Sequence, residues 1–269
     1  MQNLTLSRGK IISFLNCQRR FQLRHVTALP WPAAPMPQEK AEALLKGTMF
    51  HQMAERHFLG MPDAIPVDID ENVKRWWEIF QRRGPHLPEG KRFPEASMTI
   101  VAGGMRLFGR FDLLITNDTS AHIYDWKTER SPRSAWRLRE DWQTRLYLAL
   151  VVEGADALGH SYHPDDVSMT YWFAEAPEQS VVIRYNSDWH RQNWAEIKAT
   201  IGRIERRLAA SEAIWPLTDD LELCASCGYR TYCGRDAVVA VEPSESELEW
   251  AFEESAEMLE IEPEYTARF

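Results

Sequence analysis

Two aspartates and a lysine stand where two neighbouring strand-like segments could bring them together. Asp112 ends Gly-Arg-Phe-Asp, and Asp125 and Lys127 belong to Asp-Trp-Lys-Thr about a dozen residues later. Side chains alternate along a strand, so Asp125 and Lys127 share one face while Trp126 takes the other. A hairpin would place Asp112 beside Asp125. Adjacent carboxylates repel each other unless a cation lies between them, and such oxygen ligands suit Mg²⁺ or Mn²⁺.

A centre of this kind is typical of phosphodiester cleavage. The metal ion lowers the pKa of a water molecule that it binds and neutralises the charge that grows on the phosphate. Lys127 can orient that water or stabilise the developing charge. The alternative is an ordinary exposed hairpin that carries three charges. The apolar neighbours of Asp112, which are Phe111 and residues 113–115, argue against it, because a charge among apolar side chains is unfavourable without a partner.

The elements that must position these residues follow from hydrophobic periodicity, which indicates a mixed α/β fold. Eleven Trp and eleven Phe suggest a largely aromatic core. A loop rich in proline, residues 30–37, separates the first two helices. The predicted helices are Leu6–Leu23, Glu39–Leu59, Asp70–Arg83, Arg139–Glu153 and Asp188–Ala210. The predicted strands are Ser97–Val101, Met105–Thr116, Ala121–Trp126, Val167–Phe173 and Val181–Tyr185.

The acidic balance of the chain is confined to its C-terminal end. The net charge is −9, but residues 242–269 hold ten Glu and one basic residue, and residues 1–241 hold 30 acidic and 30 basic residues. Basic clusters in the body could follow a phosphate backbone, or they are solvated helix faces. We predict a helix over Ser244–Glu260, which either covers the body or mimics phosphates in a DNA groove. The chain contains no apolar run of about 18 residues and no secretory leader, so we predict a cytoplasmic protein without membrane spans.

The four cysteines of the chain are a second set of potential metal ligands. Cys224, Cys227 and Cys233 form Cys-x2-Cys-x5-Cys, and Cys17 lies far ahead of them in the sequence. Disulfides are rare in cytoplasmic chains, so this spacing suggests a metal. Four thiolates suit either zinc or an iron–sulfur cluster. The alternative is four unrelated buried thiols.

Taken together, these motifs resemble the PD-(D/E)XK nuclease superfamily, and most closely its RecB-type branch. This branch includes AddB nuclease domains and the CRISPR-adaptation exonucleases. The resemblance implies a restriction-endonuclease-like fold, with a mixed central sheet flanked by helices, over residues 1–241. It also implies that Asp112 and Asp125 are metal ligands and that Lys127 is the catalytic lysine. Asp125 stands where many members carry Glu.

The same resemblance assigns roles outside the hairpin. Gln143 and Tyr147 match the Gln-x-x-x-Tyr signature of the branch, and their spacing puts both on one helix face. His51, in Gly-x-x-x-His, is implied as a further metal ligand, although a lone helical histidine is more often structural. Glu95, a single glutamate before a strand, is a weaker candidate.

For the cysteines, the resemblance implies a 4Fe-4S cluster that clips together the two ends of the domain. The segment Phe-Leu-Asn-Cys-Gln-Arg-Arg-Phe around Cys17 resembles the leading element of this branch. Its role would be structural. Arg19, Arg20 and Arg230 would lie beside the cluster and bind DNA phosphates.

The sequence therefore predicts a Mg²⁺- or Mn²⁺-dependent DNA exonuclease that acts on single-stranded ends. It would serve DNA repair, CRISPR adaptation or phage defence. No helicase motif is present, so unwinding would require a helicase or defence-protein partner. The alternative function is that of an iron–sulfur subunit that binds DNA or assembles a larger complex, with cleavage secondary.

Overall fold

The computed structural model describes residues 4–30, 37–63, 65–129, 132–210 and 213–242. These residues form two compact units. The terminal unit holds the described residues of 1–40, 101–107 and 198–268, and the central unit holds those of 41–100 and 108–197. The chain crosses between the units several times, so no single cut in the sequence separates them. The helix predicted for Ser244–Glu260 lies outside the described residues.

Helices and strands both contribute to the described chain, as the periodicity predicts. The strands are β1 (Thr5–Leu6), β2 (Lys91–Ala102), β3 (Met105–Thr116), β4 (Ala121–Lys127), β5 (Val167–Phe173) and β6 (Val181–Arg184). The helices are α1 (Arg8–Asn16), α2 (Gln18–Phe21), α3 (Gln38–Phe58), α4 (Glu71–Arg83), α5 (Ala135–Glu140), α6 (Trp142–Glu153), α7 (Ser187–Ala209) and α8 (Glu222–Ala225). A π-helical segment spans Gln22–Val26, and 3₁₀ turns span Ala155–Leu158, Pro164–Asp166 and Pro177–Gln179.

The central unit is built on a mixed sheet, which confirms the predicted α/β class. β3 and β4 are antiparallel, β4 and β5 are parallel, β5 and β6 are antiparallel, and β2 also pairs with β3. The β3–β4 hairpin turns at Asn117, whose side-chain Oδ1 accepts hydrogen bonds from the backbone N–H groups of Thr119 and Ser120. This local turn sets the hairpin register, in which Leu113 lies opposite Tyr124.

An aromatic core joins α3 and α4 to this sheet. Phe50 on α3 stacks on Trp172 of β5, with ring centroids 6.0 Å apart and an interplanar angle of 10°. Phe80 of α4 contacts the ring of Trp126 edge-on at 5.2 Å. Large aromatic side chains bury much apolar area each, so they dominate the packing energy of such a layer. The other buried members of this core are Ala54, Ile69, Val73, Trp76, Trp77, Leu113, Ile115, Tyr124 and Ala174.

α6 packs closely against β3 because Gly109 has no side chain. A Cβ atom at Gly109 would lie 2.6 Å from Leu150 Cδ1 and 3.0 Å from Tyr147 Cε1. Tyr147 also contacts Phe111 edge-on, with ring centroids 5.0 Å apart. The glycine of Gly-Arg-Phe-Asp therefore sets the distance between the strand that carries Asp112 and the helix that carries Gln143.

The single helix predicted for Leu6–Leu23 is wrong, because its first residues form β1 and its middle is interrupted. Thr5 and Leu6 pair in parallel with Arg106 and Leu107 within the terminal unit. α1 then ends at Cys17, whose backbone is extended (φ −157°, ψ 110°), and α2 starts directly after it. The apolar spacing is helical on both sides of the break, so periodicity alone does not reveal it.

Two other predicted elements differ from the structure by more than a residue at one end. The helix predicted for Arg139–Glu153 is split at Asp141, which ends α5 and caps α6 by accepting a hydrogen bond from Gln143 N. The strand predicted for Ser97–Val101 is longer, since β2 already begins at Lys91 and runs through Pro94. β3 and β5 have the predicted bounds. None of the helices in the described parts of the chain combines the length and hydrophobicity that a transmembrane segment needs.

We predict that Gly109→Ala destabilises the protein by about 1–3 kcal/mol, because the new methyl group overpacks the contact with Leu150 and Tyr147. The measurement is urea unfolding followed by circular dichroism. Gly202→Ala in α7 is the matched control, since its nearest neighbour would be the flexible end of Arg206 at 3.4 Å. There the gain in helix propensity should stabilise the protein by about 0.5–1 kcal/mol. Equal effects of the two substitutions would contradict the packing argument.

Candidate active site

Three potential ligands for a divalent cation converge in the central unit. One ligand atom from each of His51, Glu95 and Asp112 lies within 4.8 Å of the other two. They come from α3, β2 and β3, and each side chain is partly exposed. An imidazole with two carboxylates is a donor set that suits Mn²⁺ or Mg²⁺. The structure thus brings together two of the predicted metal ligands and adds Glu95, the weaker candidate.

His51 reaches this cluster because of its neighbours on α3. Phe50 is completely buried in the aromatic core, and Ala54, one turn later, is buried as well. These anchors turn His51 towards Asp112, with Nδ1 3.3 Å from Asp112 Oδ1. Gly47 lies one turn before His51, where a Cβ atom would stand 3.3 Å from Thr128 Oγ1. The glycine of Gly-x-x-x-His therefore lets α3 approach the end of β4 closely.

Glu95 has an unusual backbone conformation in the middle of β2. Its φ is +48°, in the left-handed region that residues other than glycine rarely adopt. Its side chain forms an ion pair with Arg110, with Oε2 3.3 Å from Nε. Backbone strain of this kind costs about 1–3 kcal/mol and concentrates at functional sites. Here it accompanies the placement of the carboxylate beside His51 and Asp112.

Asp112 lies where the β3–β4 ladder ends. The described pairing stops at Leu113 and Tyr124, one position before Asp112 and Asp125. In place of a further ladder bond, Asp112 Oδ2 accepts a hydrogen bond of 2.6 Å from the backbone N–H of Trp126. One carboxylate thus contacts α3 through one oxygen and β4 through the other. The hairpin predicted to place the two aspartates side by side is confirmed.

Asp125, Lys127 and Gln143 form a buried polar network next to this cluster. Lys127 Nζ lies 2.9 Å from Asp125 Oδ2 and donates to Gln143 Oε1 at 3.3 Å. Gln143 Nε2 donates to Asp125 Oδ1 at 2.5 Å. All three side chains are less than 10% exposed. Lys127 and Asp125 share one face of β4 while Trp126 lies in the aromatic core, as strand alternation predicts.

The site contains a carboxylate oxygen that is not fully satisfied within the described residues. Asp125 Oδ2 is buried and has no aligned hydrogen bond, although it faces the charge of Lys127. A buried carboxylate is unfavourable without positive charge around it, and a bound divalent ion would add to the stabilisation that Lys127 supplies. Burial raises the pKa of Asp125 to about 6, against the opposing charge of Lys127 and with a contribution from Asp112. These features fit a divalent ion held by the carboxylates.

The pKa values of the His51–Glu95–Asp112 cluster also fit a bound cation. Burial and the charge of Asp112 raise the pKa of Glu95 to about 7. Burial alone would lower the pKa of His51, but the charge of Asp112 and the hydrogen bond to it raise that pKa to about 9. Burial opposes the ionisation of Asp112, yet His51 holds its pKa below the usual range. Without a bound cation, protons on His51 and Glu95 therefore offset negative charge that a metal ion would otherwise offset.

Tyr147, the second residue of the Gln-x-x-x-Tyr pair, packs against β3. Its ring is buried between Phe111 and the backbone of Gly109. Gln143 contacts both Asp125 and Lys127. On their shared helix face, Gln143 therefore orients the charged network, and Tyr147 packs α6 on β3.

The four cysteines line one small cavity in the terminal unit. Its volume is about 20 Å³, room for about one water molecule. Burial raises the pKa of the Cys227 thiol. No three of the sulfur atoms lie within 4.8 Å of one another, although all four cysteines belong to the described residues. Thiolates around one zinc ion would be about 3.8 Å apart. Four thiols are the donors that a thiolate-bound metal centre needs, but the sulfur atoms are not gathered closely enough here to bind one ion together.

The three arginines predicted to bind DNA phosphates surround these thiols. Arg20 and Arg230 line the same cavity as the cysteines. Arg19 donates a hydrogen bond of 2.5 Å to Gln22 Oε1, and its guanidinium lies 5.8 Å from the ring centroid of Tyr232. These contacts lie within the terminal unit, and the binding of the three arginines to DNA stays a prediction.

The family is shown by comparison with known proteins. The sequence matches the family model of the PD-(D/E)XK nuclease superfamily over residues 5–96 and 70–234, so the chain belongs to this superfamily. Among solved structures, it resembles a candidate exonuclease from Eubacterium rectale, with a TM-score of 0.52 and 13% identity over 91% of this chain and 92% of that chain. At this identity, the likeness concerns the fold alone.

A second solved structure, that of SSO0001, matches 89% of both chains with 15% identity and a TM-score of 0.38. A search of the curated proteins found no match to this sequence.

We predict that Mn²⁺ binds the central unit. Glu95→Gln should weaken this binding at least tenfold, roughly the loss seen when a residue that binds or orients a metal's ligands is removed. Because the ion must displace protons from Glu95 and His51, wild-type affinity should rise with pH from below 7 towards 9. Titration calorimetry at several pH values measures both effects. Asp63→Asn is the matched control, since Asp63 forms an exposed pair with His57 at 3.1 Å. Equal loss of affinity in both variants would contradict the assignment.

Proposed function

We propose that this protein is a divalent-metal-dependent DNA nuclease, and specifically an exonuclease that acts on single-stranded ends. The main support is one juxtaposition. The His51–Glu95–Asp112 group, a potential cation site, adjoins the buried Asp125–Lys127–Gln143 network at the end of one hairpin. Membership of the PD-(D/E)XK nuclease superfamily agrees with this chemistry.

The ligands of the ion would be His51, Glu95 and Asp112, with Asp125 beside them. When bound, a divalent ion there supplies Lewis-acid chemistry, which activates water and neutralises charge on the phosphate. The chain itself supplies the rigid arrangement of the carboxylates. Asp112 is held by the backbone N–H of Trp126, so its carboxylate does not need to reorganise when substrate enters.

Lys127 would act on the scissile phosphate. Its ammonium group is held between Asp125 and Gln143, which limit its rotamers. From this position it can orient the attacking water or donate a hydrogen bond to a phosphate oxygen as negative charge grows there. Gln143 is a positioning residue, since it bridges Asp125 and Lys127 from α6.

The RecB-type branch, the exonuclease mode and the single-stranded substrate belong to the proposal. They are supported by the Gly-x-x-x-His and Gln-x-x-x-Tyr motifs and by the cysteine spacing. The solved structure of similar fold is that of a candidate exonuclease, which agrees with this mode. A role in repair, CRISPR adaptation or phage defence, with a helicase or defence partner, is part of the same proposal.

We predict that Asp112→Asn and Lys127→Ala each lower DNA cleavage by about 10²- to 10³-fold, because each removes charge stabilisation at the reacting phosphate. End-labelled single-stranded, duplex and RNA substrates, incubated with Mg²⁺ or Mn²⁺, measure rate, polarity and substrate class. Asp63→Asn is again the control and should cut at the wild-type rate. If wild type and both variants are equally inactive or equally active, the nuclease proposal fails. The alternative of a DNA-binding or assembly subunit then stands.

We further propose that Cys17, Cys224, Cys227 and Cys233 hold a 4Fe-4S cluster of structural role. The support is that all four line one cavity, although Cys17 is distant from the others in sequence. Each thiolate of such a cluster binds its own iron, so the sulfur atoms stand farther apart than around one zinc ion. In every set of three of these cysteines, at least one pair of sulfur atoms is more than 4.8 Å apart, so the thiols are not gathered around a single zinc ion.

The full chain, purified without oxygen, should contain four irons and four acid-labile sulfides and absorb visible light. Cys17→Ser should lose the iron and lower thermal stability, because the ligand set is incomplete. Thr231→Ala, a change at an exposed position between Cys227 and Cys233, should retain both. Stoichiometric zinc without iron, or full metal content in Cys17→Ser, would overturn the assignment.

A further inference from the structure

One tryptophan of the central unit is exposed, whereas the other described tryptophans are buried or partly buried. Nine of the eleven tryptophans lie in the described residues, and among these only Trp136 is exposed, at 70% of its surface. A tryptophan offers a large apolar area whose burial would be favourable. Its exposure therefore leaves a large apolar area free to cover a ligand.

The exposed ring sits on a short helix that is anchored at several points. Leu138, two residues later on α5, is completely buried. The guanidinium of Arg139 stacks on the ring of Trp189, 3.7 Å from its centroid. Ser134 caps the helix by accepting a hydrogen bond from Arg137 N. α5 is thus held in place while Trp136 is left outside the packing.

α5 is also joined to the candidate active site. Asp141 ends α5 and caps α6 by accepting a hydrogen bond of 2.8 Å from Gln143 N. Its other oxygen forms an ion pair of 2.9 Å with Arg133, just before α5. Gln143 stands seven positions after Trp136, so even a fully extended chain would keep them within about 25 Å.

The exposed charged residues of α5 are Arg137, next to Trp136, and Glu140 at the far end of the helix. Arg137, next to Trp136, is exposed and has no acidic partner among the residues that the structure describes. Glu140, at the last position of the helix, is the single acidic residue of α5. An aromatic ring beside an arginine is the combination that binds single-stranded nucleic acid, since the ring stacks on a base and the guanidinium binds a phosphate.

We propose that α5 is a platform for single-stranded nucleic acid, on which Trp136 stacks against a base and Arg137 contacts the adjoining phosphate. The proposal rests on the nuclease function proposed above, because the nucleic-acid strand bound on α5 would be the substrate of the candidate active site. A duplex keeps its bases stacked on each other, so it offers a protruding ring no free base face inside the helix. The platform therefore favours single strands and unpaired ends.

The test is binding of a fluorescent single-stranded oligonucleotide to the full chain, measured by anisotropy in EDTA so that no cleavage occurs. Trp136→Ala should weaken binding about 5- to 150-fold, the range found for a lost stacking contact. Trp136→Phe keeps a π face and should retain most of the affinity. Arg137→Gln should reduce the salt dependence of binding by about one phosphate contact.

Val67→Ala is the matched control for a lost exposed apolar side chain, because Val67 is 99% exposed in the same unit. Its affinity should equal that of the wild type. Unchanged affinity in Trp136→Ala, or equal losses for single strand and blunt duplex, would overturn the platform. Circular dichroism confirms that each variant is folded.

The binding assay separates this proposal from the proposed function. If the wild type cuts DNA but Trp136→Ala binds single strands normally, the platform fails and the nuclease stands. If Trp136→Ala loses binding while the wild type cuts nothing, the nuclease fails and the platform stands. A wild type that does not bind single strands contradicts the platform directly.

Discussion

The repulsion between two carboxylates, Asp112 and Asp125, is the constraint on which the central unit depends. They lie one position past the last described pair of the β3–β4 ladder, in surroundings that burial makes unfavourable for charge. The protein balances them with two cations from different elements, His51 on one side and Lys127 on the other. A site that needs this much positive charge is prepared for a divalent ion.

The framework around these groups is rigid because it is built from large buried rings and close backbone contacts. Phe50 and Trp126 fix α3 and β4 in the aromatic core, so the residues next to them, His51 and Asp125, face the site with little freedom. Gly109 sets how near α6 lies to β3 on the other side. Preorganised charges stabilise a transition state better than mobile ones, since they need not reorient during the reaction.

The four thiols are a second set of potential metal ligands, and they come from both ends of the described chain. Cys17 and the three later cysteines belong to the terminal unit, whereas His51, Asp112 and Lys127 belong to the central unit. The two sets of ligands also differ in kind, because oxygen and imidazole donors favour Mg²⁺ or Mn²⁺ and thiolates favour softer metals. Under the proposed function, the oxygen and imidazole donors would carry the chemistry and the thiolates would stabilise the terminal unit.

The sequence by itself determined the α/β class, the hairpin with Asp112, Asp125 and Lys127, and the bounds of β3 and β5, because strand alternation and turn residues are local signals. It missed the breaks at Cys17 and Asp141, where apolar spacing continues across the interruption. Only the tertiary structure placed Glu95 beside His51, since that contact depends on a left-handed backbone and on the packing of three elements. Long-range packing of this kind leaves no periodic trace in the chain.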